Sequence, residues 1–486
     1  MRYFYSLLFF FSLGISSQQA VAQNWRLFRP GLIYSYQVVG KPEVYTLRLD
    51  SAFMIGADSV YRFNRIMRPD RFSPELYHKS DNNLFGAQVR FVPGSQEVVL
   101  EALTDALQAP VQLLLRPAAA IGSSWQASEG VTAVLSSRTQ QTVHGVPDIV
   151  ATVVLSNGQQ VLIGEKLGLL QAPQWLNLDA ATASNLQADR VPVTWAESDY
   201  YPAHTFDFQP GDEFGYEQYD WIFSLPCAKD YILRRISTRE QTQDSLKYTY
   251  QEERATRGFG PGSPCNNVYA ETIHPRTVGR IAVSLRTGQW ADKTHPPLRL
   301  LTWEYQKQST ASDPESYILA LPLSTNAGTA LPGPEYIRVY KRDQTYAIGL
   351  DYLAHPQQLS APVGMVHDND TWLVYYRRRL PDGTYSTFGN RQQYEVLLPV
   401  RAAGSLLTIR AYPNPAAGVV TLDWALPAIK GVRLSLTDLA GRALWQAEPP
   451  TGSTQAQVPL AAYPAGLYVV RLEQPGYAPV TLRVQH

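Results

Sequence analysis

Residues 28–36 read FRPGLIYSY and residues 208–216 read FQPGDEFGY. Both carry Phe-x-Pro-Gly-x-x-aromatic-x-Tyr, at a spacing of 180 residues. Pro fixes φ and Gly tolerates φ > 0, so each copy pre-sets a turn. The aromatics that follow alternate, which puts Tyr34 and Tyr36 on one strand face and Phe214 and Tyr216 on another. After the first copy comes VYTLRLD, with Tyr45, Leu47 and Leu49 alternating against Thr46 and Arg48. After the second comes DYILRRI, with Tyr231 and Leu233. Later landmarks, Asp58-Ser59-Val60 and Asp244-Ser245-Leu246, are 186 apart, so extra chain that includes Cys227 separates turn from second strand in copy two. The pattern predicts an all-β chain with two related antiparallel β modules, residues 23–203 and 204–402. Each opens with a strand after Pro-Gly.

Other stretches agree. FGAQVRFVPG, EVVLEAL, PVQLLLRP, RIAVSLRTGQW, EYIRVYK and WLVYYRRRLPDGTY are strand-like runs punctuated by Pro and Gly. Ser156-Asn157-Gly158, between two β-branched runs, predicts a hairpin with a type I′ turn, and Asp382-Gly383 predicts another hairpin. The best helical candidate is the stretch from about Asp179 to Ala188.

The 486 residues exceed a single core and predict about three domains. Lys+Arg and Asp+Glu each total 42, which gives no basis for attraction to nucleic acid. The 29 Tyr, 10 Trp and 35 Pro fit sheets and turns better than helix bundles. At the N-terminus Arg2 precedes an uncharged run, Tyr3 to Ile15, and Ala20-Val21-Ala22 fits a small-x-small cleavage site. Residues 1–22 therefore read as a secretory signal peptide, with a run too short for the ~20 residues of a spanning helix. No second long apolar segment follows, so no transmembrane segment is expected in the mature chain. The two cysteines, Cys227 and Cys265, are expected to pair in an oxidising compartment, contributing about 4 kcal/mol in the chain-entropy view. Two buried thiols or a metal site are the alternatives, although no ligands sit at metal spacing.

The last 80 residues repeat the strand signature in miniature. Val420, Leu422 and Trp424 share a face, as do Val432, Leu434 and Leu436, then Tyr468, Val470 and Leu472, then Val480, Leu482 and Val484. Asp438 to Gly441 suits a short hairpin loop with Gly left-handed. Seven short strands with tight turns predict a small Ig-like β-sandwich over residues 406–486.

Three elements occur here in order: Tyr412-Pro413-Asn414-Pro415, then Asp438-Leu439-Ala440-Gly441-Arg442, then Gly466-Leu467-Tyr468 with Arg471. Together they resemble the type A C-terminal sorting domain of type IX secretion system cargo. The resemblance implies a Gram-negative source, Sec export to the periplasm and a second translocation across the outer membrane. It names the type IX machinery as partner through residues 406–486, and a secreted or surface-attached product. The ending Val-Gln-His departs from a pattern that often places Lys or Arg nearer the terminus; Arg483 stands in that role. The stretches GVPDIVATVVLSNGQQVLIGEKLGLL and FDFQPGDEFGY are also similar to uncharacterised secreted proteins with the same tail. That similarity implies architecture only.

Catalytic constellations are sparse. There is no His-Glu-x-x-His, no Gly-x-Ser-x-Gly and no Gly-rich phosphate loop. Three His-Pro dipeptides, at His274, His295 and His355, read as separate extended loops rather than metal ligands. His367-Asp368-Asn369-Asp370 lacks the calcium-loop pattern and reads as a hairpin turn. Asp212 and Glu213 are adjacent, so on a strand they point to opposite faces and make a poor carboxylate pair. Tyr200-Tyr201, Trp221, Trp290, Trp303, Trp372 and Tyr375-Tyr376 could stack sugars, yet sheet aromatics are more often core. No cofactor is implied. The favoured expectation is a non-catalytic secreted or surface protein with a glycan or surface partner. The alternatives are an extracellular hydrolase of polysaccharide or peptide, and a structural cell-envelope component.

Overall fold

The computed structural model describes residues 25–73, 75–222, 225–258, 271–291, 297–308, 315–324, 333–341, 348–350, 357–368, 370–398, 409–424, 427–428, 431–474 and 480–486. The leader 1–22, Cys265, His295, His355 and Asn369 lie outside them. Regular secondary structure among the described residues is nearly all strand, and every strand pair is antiparallel. Contacts divide the chain into two compact units after Leu397.

Both Pro-Gly pairs make the expected turn. Gly31 has φ +83° and Gly211 φ +96°, the second-position geometry that Pro-Gly favours. Leu32–Val38 then pairs with Glu43–Ile55, which pairs with Asp58–Phe63. In the second copy Glu213–Ile222 pairs with Leu225–Gln241, which pairs with Ser245–Gly258. The middle strand carries a bulge in both, between Leu49 and Ser51 and between Ile236 and Thr238. The motif phenylalanines take matching posts: Phe28 packs edge-on against Tyr34 and Phe63, and Phe208 packs against Phe214 and Tyr248. Tyr34 lies opposite Leu47 and Phe214 opposite Arg234, so the middle strands are offset by 187 residues, one more than the sequence landmarks indicate.

The first copy belongs to a 14-stranded sheet. This sheet curls until its end strands, Val111–Leu115 and Ser124–Ser128, lie side by side. There Trp125 Nε1 donates to Leu114 O at 2.9 Å. Leu27, Phe28, Tyr34, Tyr36 and Phe85 are among the buried side chains of its core. The second copy belongs to a 15-stranded sheet. The two sheets exchange strands. Leu76–Ser80 pairs with Ile348–Leu350 in the second, whereas Leu323–Ser324 pairs with Glu43 and Val44 in the first.

Two local expectations are corrected. The Asn157-Gly158 turn is not type I′, because only Gly158 (φ +88°) has positive φ. It is a longer hairpin loop in which Gly158 N–H donates to Leu155 O and Leu155 N–H to Gln159 O. Asn157 acts instead through its side chain, accepting from Gln159 N–H and donating to Leu178 O. The Asp179–Ala188 stretch is a turn followed by the strand Asn185–Ala188. Leu186 is fully buried there, and pairing on both sides outweighs a weak helical pattern.

The second unit is a sandwich of a three-stranded and a four-stranded sheet. The strands are Ile409–Tyr412, Val419–Trp424 and Gln455–Pro459 in one, and Arg433–Thr437, Ala443–Ala447, Leu467–Glu473 and Val480–Gln485 in the other. The alternation in the sequence maps onto its core. Val420, Leu422, Trp424, Val432, Leu434, Leu436, Tyr468, Val470, Leu472 and Val484 are all buried, with Val480 and Leu482 partly so. Each such side chain contributes about 1.5–3 kcal/mol on burial.

Candidate functional site

Strand register on the second sheet assembles a groove of about 310 Å³. Alternation brings three transverse rows to one face. Tyr376, Phe214, Arg234 and Glu252 stand opposite one another in the first. Leu373, Tyr216, Ile232 and Arg254 form the second, and Thr371, Gln218, Asp230 and Thr256 the third. The inner end is closed by Phe206, Phe208 and Trp290, with Phe206 and Trp290 ring centres 5.0 Å apart.

Arg234 is the centre of this face. Its guanidinium lies 4.9 Å from the Tyr216 ring centre and 5.1 Å from that of Tyr250, and its Nε donates to Glu252. Burial alone would lower the Arg234 pKa, but Tyr216, Tyr250 and Glu252 outweigh it and hold it above the usual value. Burial raises the Tyr216 pKa, so its hydroxyl stays protonated. Arg254 pairs with the buried Asp230, which also accepts from Thr256 Oγ1; Thr256 in turn contacts His274 Nε2 at 2.8 Å. Arg254 Nε is buried without a hydrogen-bond partner. Tyr250 lies across Gly279, where an added Cβ would sit 2.1 Å from the ring's Cζ.

The carboxylates weighed from the sequence are committed elsewhere. Asp212 is fully buried and accepts the N–H groups of Gln209 and Arg379, both at 2.8 Å. Burial pushes its pKa up. Glu213 points the other way, to Arg235 at 2.6 Å, Arg391 at 3.0 Å and Tyr375 Oη at 3.2 Å. Burial opposes its charge, but the two arginines win and lower its pKa. The aromatics named from the sequence whose side chains are described, which leaves out Trp221, do not form one row. Tyr200 is buried against Thr46, Trp303 stacks on Trp175, Trp372 stacks on His367, and Tyr376 stacks on Phe388. Of that set, Trp290 lines the groove. Among the described residues no cluster of three or more His, Cys, Asp or Glu side chains could hold a metal. Sequence reading missed Arg234, Glu252, Arg254 and Asp230. Their only signal was alternation of charged with aromatic positions on adjacent strands.

In the second unit the motif residues build the hairpins and seal the last strand. Asp438 accepts the N–H groups of Ala440 at 3.0 Å and Arg442 at 2.9 Å, and Arg442 Nε at 2.7 Å. Gly441 takes φ +81° in that loop. Asn414 reaches the final strand, accepting from Gln485 N–H and donating to Arg483 O. Gly466 exchanges two backbone hydrogen bonds with His486, and Tyr468 Oη donates to Pro464 O. Arg471 pairs with Glu473 at 2.7 Å. Cys227 is buried at the start of its strand.

Among the described residues no helix is long and apolar enough to cross a membrane. No curated protein and no solved structure matches the chain. Residues 410–481 match the family described as the secretion system C-terminal sorting domain, which coincides with the sandwich just described. That tail marks the chain as type IX secretion cargo, a secreted or cell-surface protein that engages the type IX machinery.

Proposed function

We propose that this cargo is a non-catalytic binding protein that holds its ligand in the groove of the second sheet. The observation that carries this reading is the state of the charges there. Arg234 is matched by Glu252 and Arg254 by Asp230, and the remaining groove carboxylate, Asp368, accepts from Gln357 Nε2 at 2.6 Å, so each carboxylate there is already engaged rather than free for proton transfer or nucleophilic attack. Aromatic walls with a few convergent polar groups are what a binding pocket needs. A ligand panel that scores both retention and product release, run on the exported protein, tests it. Retention without turnover is expected, and turnover overturns the reading.

A hydrolase is the second reading, and one observation favours it. A polar cleft on the first sheet, about 550 Å³, is bordered by Asp50, Asp81 and Glu304. Burial pushes the Glu304 pKa up to about 6. Both Glu304 oxygens are nevertheless held by Arg48, at 2.8 and 2.9 Å, which opposes a catalytic role.

For export, we propose cleavage after Ala22, passage through the periplasm of a Gram-negative cell, and a second crossing addressed by residues 406–486. Tyr412, Pro413, Asn414, Pro415, Asp438, Gly441, Arg442, Gly466, Tyr468 and Arg471 shape that address. A Cys227–Cys265 disulfide fits the oxidising route. The matching turn, strand order and bulge after Pro30-Gly31 and Pro210-Gly211 support two related modules. Deleting residues 406–486 should trap the remainder in the periplasm. Normal surface delivery of that truncation refutes the address.

A further inference from the structure

We infer that the groove on the second sheet is a site for a neutral saccharide. This rests on the binding reading above and names the class of ligand. Three observations point there. First, the hydroxyl end of the Tyr250 ring lies against Gly279, in space that a Cβ would fill. That arrangement fixes an aromatic platform of the kind that stacks on the C–H face of a sugar ring. Second, the charges beside the platform are closed into pairs, Arg234 with Glu252 and Arg254 with Asp230. Arg280 and Asp368 also line the groove, so three arginines stand with three carboxylates, counting Asp230, and an anionic ligand finds no net positive charge. A hydroxyl, which both donates and accepts, finds guanidinium N–H groups and carboxylate oxygens side by side. Arg254 Nε is a buried donor with no acceptor, and a sugar hydroxyl supplies one. Third, the groove floor is built from Glu213–Ile222, Leu225–Gln241 and Ser245–Gly258, each paired on both sides, so an extended peptide finds a strand edge only at the margin, along Thr277–Ser284. Its volume sits at the lower end of small-molecule sites, about 300 Å³.

The test uses the mature full-length protein and calorimetry with neutral hexasaccharides (cello-, xylo- and mannohexaose), oligogalacturonate and an unrelated peptide set. At least one neutral hexasaccharide is expected to bind, with an affinity that hardly changes with salt. Tyr250→Ala and Gly279→Ala should each weaken it by about tenfold or more through loss of the stacking platform. Tyr250→Phe, which keeps the ring, should stay within about threefold. Tyr385→Ala, outside the groove, should bind as the unaltered protein does, and thermal melts report whether each variant is folded. Binding of oligogalacturonate alone, failure of all neutral sugars, or neutral binding indifferent to Tyr250→Ala overturns the inference. Peptide binding lost in Tyr250→Ala, with no sugar bound, discards the saccharide and leaves the groove as a binding site. If no ligand binds in a Tyr250-dependent way, both readings fall.

Discussion

Asn414 clamps Gln485: its Oδ1 accepts the Gln485 N–H at 2.9 Å, and its Nδ2 donates to Arg483 O at 3.1 Å. Ala416 N–H adds a bond to Gln485 O at 2.8 Å. An edge strand exposes a row of unpaired backbone groups, and here the Tyr-Pro-Asn-Pro loop covers the end of that row. A motif read in sequence as an address is therefore also a structural seal on the last strand.

Asn414→Ala removes two hydrogen bonds at an exposed edge, a loss of about 1 kcal/mol. Hydrogen exchange of the intact protein should show the Gln485 amide exchanging about fivefold faster or more. The Leu434 and Val470 amides, in the buried sheet, should not change. Equal acceleration throughout the unit would mean that the clamp holds the whole sandwich rather than its edge.

Asp438 supplies a pH-dependent support for the neighbouring hairpin. The Arg442 backbone N–H, then its side chain, lowers the Asp438 pKa. A depressed carboxyl stabilises the fold above the unfolded pKa of about 3.9 and loses that contribution as pH falls through the folded value. Asp438→Asn should therefore be less stable than the natural chain at neutral pH. The difference should shrink to nothing as denaturation is repeated in increasingly acid buffer. A difference that persists in acid would assign the effect to hydrogen-bond geometry instead of charge.

Two glycines separate backbone strain from crowding. Gly158 has φ +88° and open space around a would-be Cβ, so Gly158→Ala should cost about 1–2 kcal/mol by conformation alone. At Gly364, φ is +74° and a Cβ would come within 2.7 Å of the Phe208 ring and 3.0 Å of Phe206. There the two effects add to about 3 kcal/mol or more. Chemical denaturation of both variants measures the contrast. Equal losses would show that the phenylalanine wall yields without cost.

Some of this was legible in the sequence, for physical reasons. Strand alternation depends on neighbours only, so the buried sets Val420, Leu422, Trp424 and Tyr468, Val470, Leu472 could be read directly. Pro30-Gly31 and Pro210-Gly211 set their turns locally as well. The pairing of Leu76 with Gly349 was not legible, because nothing local records a partner so distant in the chain. The groove was hidden for the same reason: Arg234 meets Glu252, and Tyr250 lies across Gly279, only once the register of adjacent strands is fixed. The Asn157-Gly158 turn was read too simply. Asn157 has outside partners in Leu178 and Gln159, and a loop that satisfies them replaces the tighter turn.

Glu304 gives the opposite pH signature to Asp438. It is buried, both oxygens face Arg48, and Leu301 N–H donates to it at 2.7 Å. Burial dominates and lifts its pKa to about 6, although Arg48 pulls the other way. A carboxyl whose folded pKa exceeds the unfolded value of about 4.3 binds its proton more tightly when folded. Its contribution to stability is then greatest below that unfolded value and declines as pH rises through about 6. Glu304→Gln should flatten this part of the stability profile, measured by denaturation across that window. Glu304→Ala should cost about 3 kcal/mol at neutral pH, because Arg48 keeps the half-exposed Asp50 as its one charged partner, besides Arg299 O. If the profile of Glu304→Gln matches the natural chain, burial does not control this carboxyl and Arg48 keeps it ionised throughout. That result would also remove the one observation that favours a hydrolase.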